Sequence, residues 1–323
     1  MGETTVLLTT IIVIGLALTL DLLVGEPPNA AHPVAWLGQL IAPLDREWAT
    51  SERGQRLVGF AIALVVPLVP AVVAGGLVLA TSAVSPVVSG AVAGLVLFVT
   101  TSLRSLLELT EAVVSATECD DLETARTEIR GLVGRDTSTL SAAEIRSGAV
   151  ESAGENLADG LVATLLPFTL LAPFSLPAAA AAAAWIKGVN TLDSMLGYPS
   201  KPHGTGSAYL DDLVMWLPAR VTAIAIALAG ADPRAVFRAR EWARDPPSPN
   251  SGWPMATLAC VLSVRLTKPG VYDLNTGAEL PTGADGERAI IVVGRAAVVA
   301  ALLAVVLAAV LTALAGSLEV IAR

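Results

Sequence analysis

The sequence predicts an all-α, polytopic integral membrane protein, with about 4–6 transmembrane helices, a re-entrant helical hairpin and a helical cytoplasmic region. Three observations lead there. The 323 residues are 54% hydrophobic and only 15% charged, against about 25% charged in ordinary soluble domains, and mean hydropathy is +0.68. Apolar stretches near or above the roughly 20 residues needed to cross a bilayer run at 4–24, 57–80, 84–103 and 289–316, with weaker ones at 157–185 and 213–231. Ala, Val and Leu fill them and aromatic residues make up only 4% of the chain, which points to helices rather than the alternating strands and aromatic girdles of an outer-membrane barrel.

The chain reads as one membrane-embedded domain. Residues 1–103 hold three transmembrane helices, 104–156 a cytoplasmic helical region, 157–231 re-entrant and transmembrane segments, 232–288 a polar loop region and 289–323 a C-terminal transmembrane helix. The opening run "MGETTVLLTTIIVIGLALTL" has no basic stretch before it and no A-x-A site after it, so it reads as an anchor rather than a cleaved signal. A polar segment, 25–56, follows. Helices 57–80 and 84–103 then make a hairpin around "TSAVS", with Pro67 and Pro70 placed to kink the first. Helical patterns continue at 104–118 and 121–134, and a further helix starts at "SAAE", where Ser141 and Glu144 fit a capping box.

The stretch "LVATLLPFTLLAPFSLPAAAAAAAWIK" is long enough to span once, but Pro167, Pro173 and Pro177 interrupt it and "APFSLP" reads as a turn. Two arms of about eleven residues, rising about 1.5 Å each, reach about halfway through the hydrocarbon, so a re-entrant hairpin is expected; the alternative is one kinked spanning helix. The hairpin would return Asn190 and Asp193 to the side that holds Glu155 and Asp159. The arginine-bearing segments 25–56 and 104–156 fall on one side, which the positive-inside tendency makes cytoplasmic. The run 213–231 carries Pro218 and Arg220 and suits the interface; beyond it lie "RDPPSPNSGWP" and a short apolar run, 255–264.

Composition also removes several classes of function. Cys119 and Cys260 are far apart with no C-x-x-C, which argues against a disulfide framework and a zinc site. His32 and His203 are the only histidines, too few for a histidine-rich metal centre. A net charge of −9 with three lysines argues against nucleic acid as a partner, since phosphate contact needs a basic face. There is no P-loop, no G-x-S-x-G elbow and no G-x-G-x-x-G after a strand.

Three clusters could carry chemistry. In "ESAGENLADG", Glu151, Glu155 and Asp159 recur at four-residue spacing, which places them on one helix face where they repel each other unless a cation sits among them. With Asn156 they form an all-oxygen set suited to magnesium completed by substrate phosphates; the plain alternative is a solvated helix face. In "KGVNTLDSMLGY", Asn190 and Asp193 share a face, three and six residues after Lys187, and "YLDDLVMWLPAR" adds Asp211, Asp212 and Arg220. Either aspartate could simply cap a helix, whereas an arginine inside an apolar segment usually faces a partner or a polar cavity. The loop "SPNSGW", Ser248 to Trp253, could offer the Asn250 amide to a ligand or be only a turn, and "DLLVGEPPNAAHPVAWLG" offers Asp21, Glu26, His32 and Trp36.

Five strings in order, "DLLVGEPPNAAHPVAWLGQLI", "GRDTSTLSAAEIRSGAVESAGENLADGLVATLL", "GVNTLDSMLGY", "YLDDLVMWLPARVTA" and "SPNSGWPMATLACVLSVRL", resemble the cobalamin biosynthesis CobD/CbiB family, the adenosylcobinamide-phosphate synthases. The resemblance covers nearly the whole chain. It implies a multi-pass enzyme of the cell membrane with a cytoplasmic site, using ATP to join the corrinoid adenosylcobyric acid to an amino-alcohol phosphate, such as aminopropanol phosphate, through an amide. On that reading Glu151, Glu155, Asn156, Asp159, Asn190 and Asp193 are catalytic candidates, with magnesium on Glu151, Glu155 and Asp159. Asp21, Glu26, His32, Trp36, Asp211, Asp212, Arg220, Ser248, Asn250 and Trp253 are candidates for substrate binding, Arg220 for a phosphate. Membrane lipid and neighbouring corrinoid-pathway enzymes are the further partners implied. Glu26 stands where the family often has Asp, "AAAAAAAWIK" is blander than the usual arm, and "VYDLNTGAELPTGADGERA" departs from the usual end of the last loop.

Two rival readings remain. A magnesium-dependent alcohol-phosphate transferase should show D-G-x-x-A-R followed by spaced aspartates, but "DGLVAT" lacks the arginine and the later acids. A transporter or permease would use intramembrane carboxylates as a path for a cation or corrinoid; here most acids sit at segment ends and no inverted repeat is visible.

Overall fold

Helices dominate the computed structural model, which describes residues 3–119, 121–133 and 137–321. In chain order they are α1 (Glu3–Val24), α2 (Pro33–Ile41), α3 (Glu52–Val65), α4 (Leu68–Ser82), α5 (Pro86–Val99), α6 (Leu103–Glu118), α7 (Leu122–Glu128), α8 (Ala142–Leu157), a π-helical turn (Ala158–Val162), α9 (Ala163–Leu171), α10 (Leu176–Leu196), α11 (Thr205–Val214), α12 (Trp216–Ala229), α13 (Ala235–Ala239) and α14 (Gly252–Leu262). Strands β1 (Leu266–Lys268) and β2 (Tyr272–Leu274) and the long α15 (Gly283–Ile321) complete the chain. Among the described residues, four stretches are long and apolar enough to cross a membrane: Glu3–Val24, Glu52–Ser82, Pro86–Glu118 and Gly283–Ser317. A fifth counts if Pro202–Val214 and Trp216–Ala229 are one broken span. The chain is an all-α, polytopic membrane protein.

Local chemistry sets the boundaries. Pro67 has no N–H to give the helix, and the 52–82 stretch breaks there into α3 and α4. Hydropathy places this helix at 57; it begins at Glu52, because the Ser51 hydroxyl accepts from Gly54 N–H at 3.1 Å and starts a polar first turn that hydropathy does not register. The expected capping box forms, with Ser141 Oγ accepting from Glu144 N–H at 3.3 Å and Glu144 accepting from Ser141 N–H at 2.8 Å. The pattern expected over 121–134 makes only α7 and a 3₁₀ turn, Ile129–Gly131; its last residue, Gly134, lies outside the described residues, as do Arg135 and Asp136 of the "GRDTST" string.

The described residues group into two compact units. The first comprises Met1–Ser102, Ala163–Val214 and Ala301–Arg323. At its centre α10 packs against α2, α4, α5, α9 and α11. "APFSLP" does turn, so α9 and α10 form a hairpin rather than one kinked helix, but its arms are unequal, with 9 and 21 residues. The bland alanine run has a packing role: a Cβ on Gly75 of α4 would lie 3.0 Å from the Ala181 Cβ, and one on Gly188 3.1 Å from the Pro67 Cα. Small residues of this kind are what let helices approach closely in a bilayer. Asp45 holds the loop after α10, with Lys201 Nζ at 2.6 Å and His203 Nε2 at 3.0 Å.

The second unit comprises Leu103–Val162 and Met215–Ala300. Here α6, α7 and α8 close on Val113, Ala125, Ile129, Ile145 and Ala149. α14 packs against both α8 and α12, and the π-helical turn packs against α12. The region expected to be polar loop, 232–288, instead builds α13, α14 and an antiparallel hairpin pairing Leu266 with Leu274. Gly270, at φ +75°, makes the reversal.

Candidate active site

In the first unit, the candidate residues lie on α1, the segment between α1 and α2, α2, α10 and α11. Asp21 is fully buried in the last turn of α1. After it the chain turns at Gly25, and His32 caps α2, its Nδ1 accepting from Val34 N–H at 3.1 Å. That bond fixes the proton of the neutral ring on Nε2. Burial lowers the His32 pKa; the Glu26 carboxylate opposes this and Lys187 of α10 reinforces it, so all three groups lie within electrostatic range. Trp36 donates Nε1–H to Ala30 O at 3.0 Å and, with Leu37, Val69, Val99 and Lys187, lines an apolar groove of about 390 Å³. Asn190 and Asp193 follow Lys187 along α10, and Asp211 and Asp212 lie on α11; all four are half-buried.

In the second unit, Glu151 is only 4% exposed. Its carboxylate accepts from Ser147 Oγ at 2.9 Å and from the Tyr272 hydroxyl at 2.8 Å, and Ser147 Oγ in turn accepts from Thr267 N–H at 2.7 Å. Glu155 and Asn156, one turn on, are half-buried, and Asp159 falls in the π-helical turn, where the regular α-helical register ends. Desolvation of its carboxyl group, then the charges of Asp159 and Glu151, raise the Glu155 pKa to about 8, with Lys268 opposing them. Among the described residues no group of three or more His, Cys, Asp or Glu is arranged to hold a metal ion. A hard cation at Glu155 and Asp159 therefore requires oxygens from a bound substrate, which is how magnesium is commonly held.

Two clusters that look separate in the sequence are joined here. Arg220 of α12 donates Nη1 to Trp216 O at 2.9 Å and to Asn250 Oδ1, and Nη2 to Pro249 O at 3.3 Å. Its guanidinium carbon lies 4.9 Å from the Trp216 ring centroid and 5.1 Å from that of Trp253. Ser248 Oγ accepts from Asn250 N–H at 3.3 Å and shapes the loop. Sequence reasoning missed Ser147, Tyr272, Lys268, Trp216 and Arg244. Of these, only the hairpin residues left a signal, a Pro269–Gly270 turn between short runs.

The CobD/Cbib protein family profile matches residues 14–298. The chain belongs to the CobD/Cbib family. A probable cobalamin biosynthesis protein CobD from Methanothrix thermoacetophila is 34% identical, covering 88% of this chain and 92% of its own length. The cobalamin biosynthesis protein CobD of Rhodobacter capsulatus is 36% identical over 87% and 91%, and that of Klebsiella pneumoniae 35% over 84% and 86%. No solved structure matches the chain. The match covers both units, including Glu151, Glu155, Asp159, Arg220 and Asn250.

Proposed function

We propose that this CobD/Cbib protein acts in cobalamin biosynthesis as an adenosylcobinamide-phosphate synthase, using ATP to join adenosylcobyric acid to an aminopropanol phosphate through an amide. The observation that carries the reading is the packing of the π-helical turn bearing Asp159 on α12, the helix bearing Arg220. One unit thus holds hard oxygens for a cation and, on an adjoining element, a fixed guanidinium for an anion. The naming of the relatives as cobalamin biosynthesis proteins and the five ordered motifs support the same assignment.

In this reading the corrin carboxylate attacks the terminal phosphorus of ATP, ADP leaves, and an acyl phosphate results. The amine then attacks the acyl carbon, the C–O bond to phosphate breaks, the amine proton is lost, and the amide forms. Magnesium would neutralise phosphate charge when bound, with Glu155 and Asp159 as the residues that hold it. Glu151, fixed by Ser147 and Tyr272, positions that helix. Within the first unit, Asn190, Asp193, Asp211 and Asp212 together with Glu26, His32 and Trp36 are the candidates for substrate contacts. The protein's task is mainly to align reactants and stabilise charge.

The test is purified membranes supplied with adenosylcobyric acid, ATP, magnesium and aminopropanol phosphate, the corrinoid being separated and weighed by mass spectrometry. The expected product has the mass of the amide, and Glu155→Gln and Asp159→Asn reduce it by at least tenfold. Absence of the amide overturns the activity. Undiminished product in both variants overturns the cation role of these two carboxylates.

A further inference from the structure

Arg220 has five N–H donors, of which three are engaged by Trp216 O, Asn250 Oδ1 and Pro249 O; Nε and one proton of Nη2 are left over. A guanidinium needed only as a pin between α12 and the 246–253 loop would be complete at this point. Yet Arg244, exposed on the approach to that loop, lies close enough for its charge to act on Arg220. Among the described residues neither arginine pairs with a carboxylate, although the chain carries a net charge of −9. Two cations within electrostatic range of each other, with no ion-pair partner among the described residues, repel each other, and an anion between them reverses the sign of that interaction. Beside Arg220, Trp253 Nε1 is buried with no hydrogen-bond acceptor among the described residues, a donor that costs stability unless a ligand oxygen meets it.

The geometry points to a phosphate-monoester subsite formed by Arg220, Arg244 and Trp253, with Asn250 and Pro249 holding the Arg220 guanidinium in place. A phosphate dianion matches two guanidinium groups better than a carboxylate does, because it carries more charge and more acceptor oxygens. The subsite rests on the proposed reaction only for the identity of the soluble ester, aminopropanol phosphate. The other source of the same chemistry is the headgroup of a lipid such as phosphatidic acid, since Trp216 and Arg220 lie in the first turns of α12, whose mostly apolar sequence is the second half of the candidate broken span.

Isothermal calorimetry on the full chain in nanodiscs of neutral phosphatidylcholine, without ATP or corrinoid, tests this directly. Aminopropanol phosphate should bind at least tenfold more tightly than aminopropanol. Arg244→Ala should remove at least tenfold of that preference and leave aminopropanol binding unchanged, and Trp253→Phe, which keeps an aromatic side chain and removes the N–H, should remove a smaller part. If the soluble ester does not bind but phosphatidic acid co-purifies and is lost from Arg244→Ala, the phosphate site stands with lipid as its source. Equal binding of ester and alcohol with no retained phosphatidic acid, or an Arg244→Ala protein that behaves as wild type in both arms, overturns the subsite. Because no turnover is read, a missing amide product would end the proposed reaction without touching this result, and the reverse also holds.

Discussion

Tyr272 donates its hydroxyl hydrogen to Glu151 across 2.8 Å, tying β2 to the middle of α8. The bond joins residues 121 apart in sequence and serves a carboxylate that is 4% exposed. Leaving a buried carboxylate short of a donor costs about 1–3 kcal/mol. Tyr272→Phe is therefore expected to destabilise the second unit by that amount, read as a lowered unfolding midpoint in detergent. An unchanged midpoint would mean that Glu151 does not depend on the hairpin.

Backbone proximity in the first unit gives a second expectation. A Cβ on Gly59 would collide with the His203 carbonyl, and one on Gly206 would lie 2.7 Å from the Phe60 Cα, so α3 touches both α11 and the 3₁₀ turn Pro202–Gly204 before it where only glycine fits. Gly59→Ala and Gly206→Ala should each cost about 1–3 kcal/mol or more through overpacking. Gly76, with nothing within 4 Å of its would-be Cβ, is the control: Gly76→Ala should be neutral or gain about 0.5–1 kcal/mol as a helix-interior residue. Equal losses at all three positions would contradict the close approach.

His32 sets a pH dependence whose sign follows from its lowered pKa. The unfolded chain binds a proton below about pH 6.5 that the folded ring resists, so this contribution to stability is complete above that pH and is lost as pH falls through the window beneath it. Protonation would also place a hydrogen on Nδ1, the atom that accepts from Val34 N–H. His32→Asn, which can still cap α2, should flatten the stability profile below about pH 6.5. The same slope in the variant would assign the dependence to another group.

Much of the architecture is local chemistry and so was readable along the chain. The apolar spans, the Pro67 break, the Ser141 capping box and the turn between α9 and α10 each depend on a few neighbouring residues. The candidate site depends on long-range placement. Arg220 and Asn250 are 30 residues apart and meet because α12 packs on α14. The regular α-helix on which four-residue spacing rests ends before Asp159, in the π-helical turn, and Glu151 faces a hairpin that periodicity over three-residue strands is too short to reveal. Lys187 was visible as a neighbour of Asn190, but its reach to His32 needed the packing of α10 on α2.

The most direct measurement follows oxygen. Adenosylcobyric acid labelled with oxygen-18 in its free carboxylate is turned over with ATP and aminopropanol phosphate, and the released phosphate and the corrinoid are both weighed. Activation through an acyl phosphate predicts one labelled oxygen in inorganic phosphate and one retained in the amide. Unlabelled phosphate beside labelled amide, or ATP consumed with no amide formed, would contradict it.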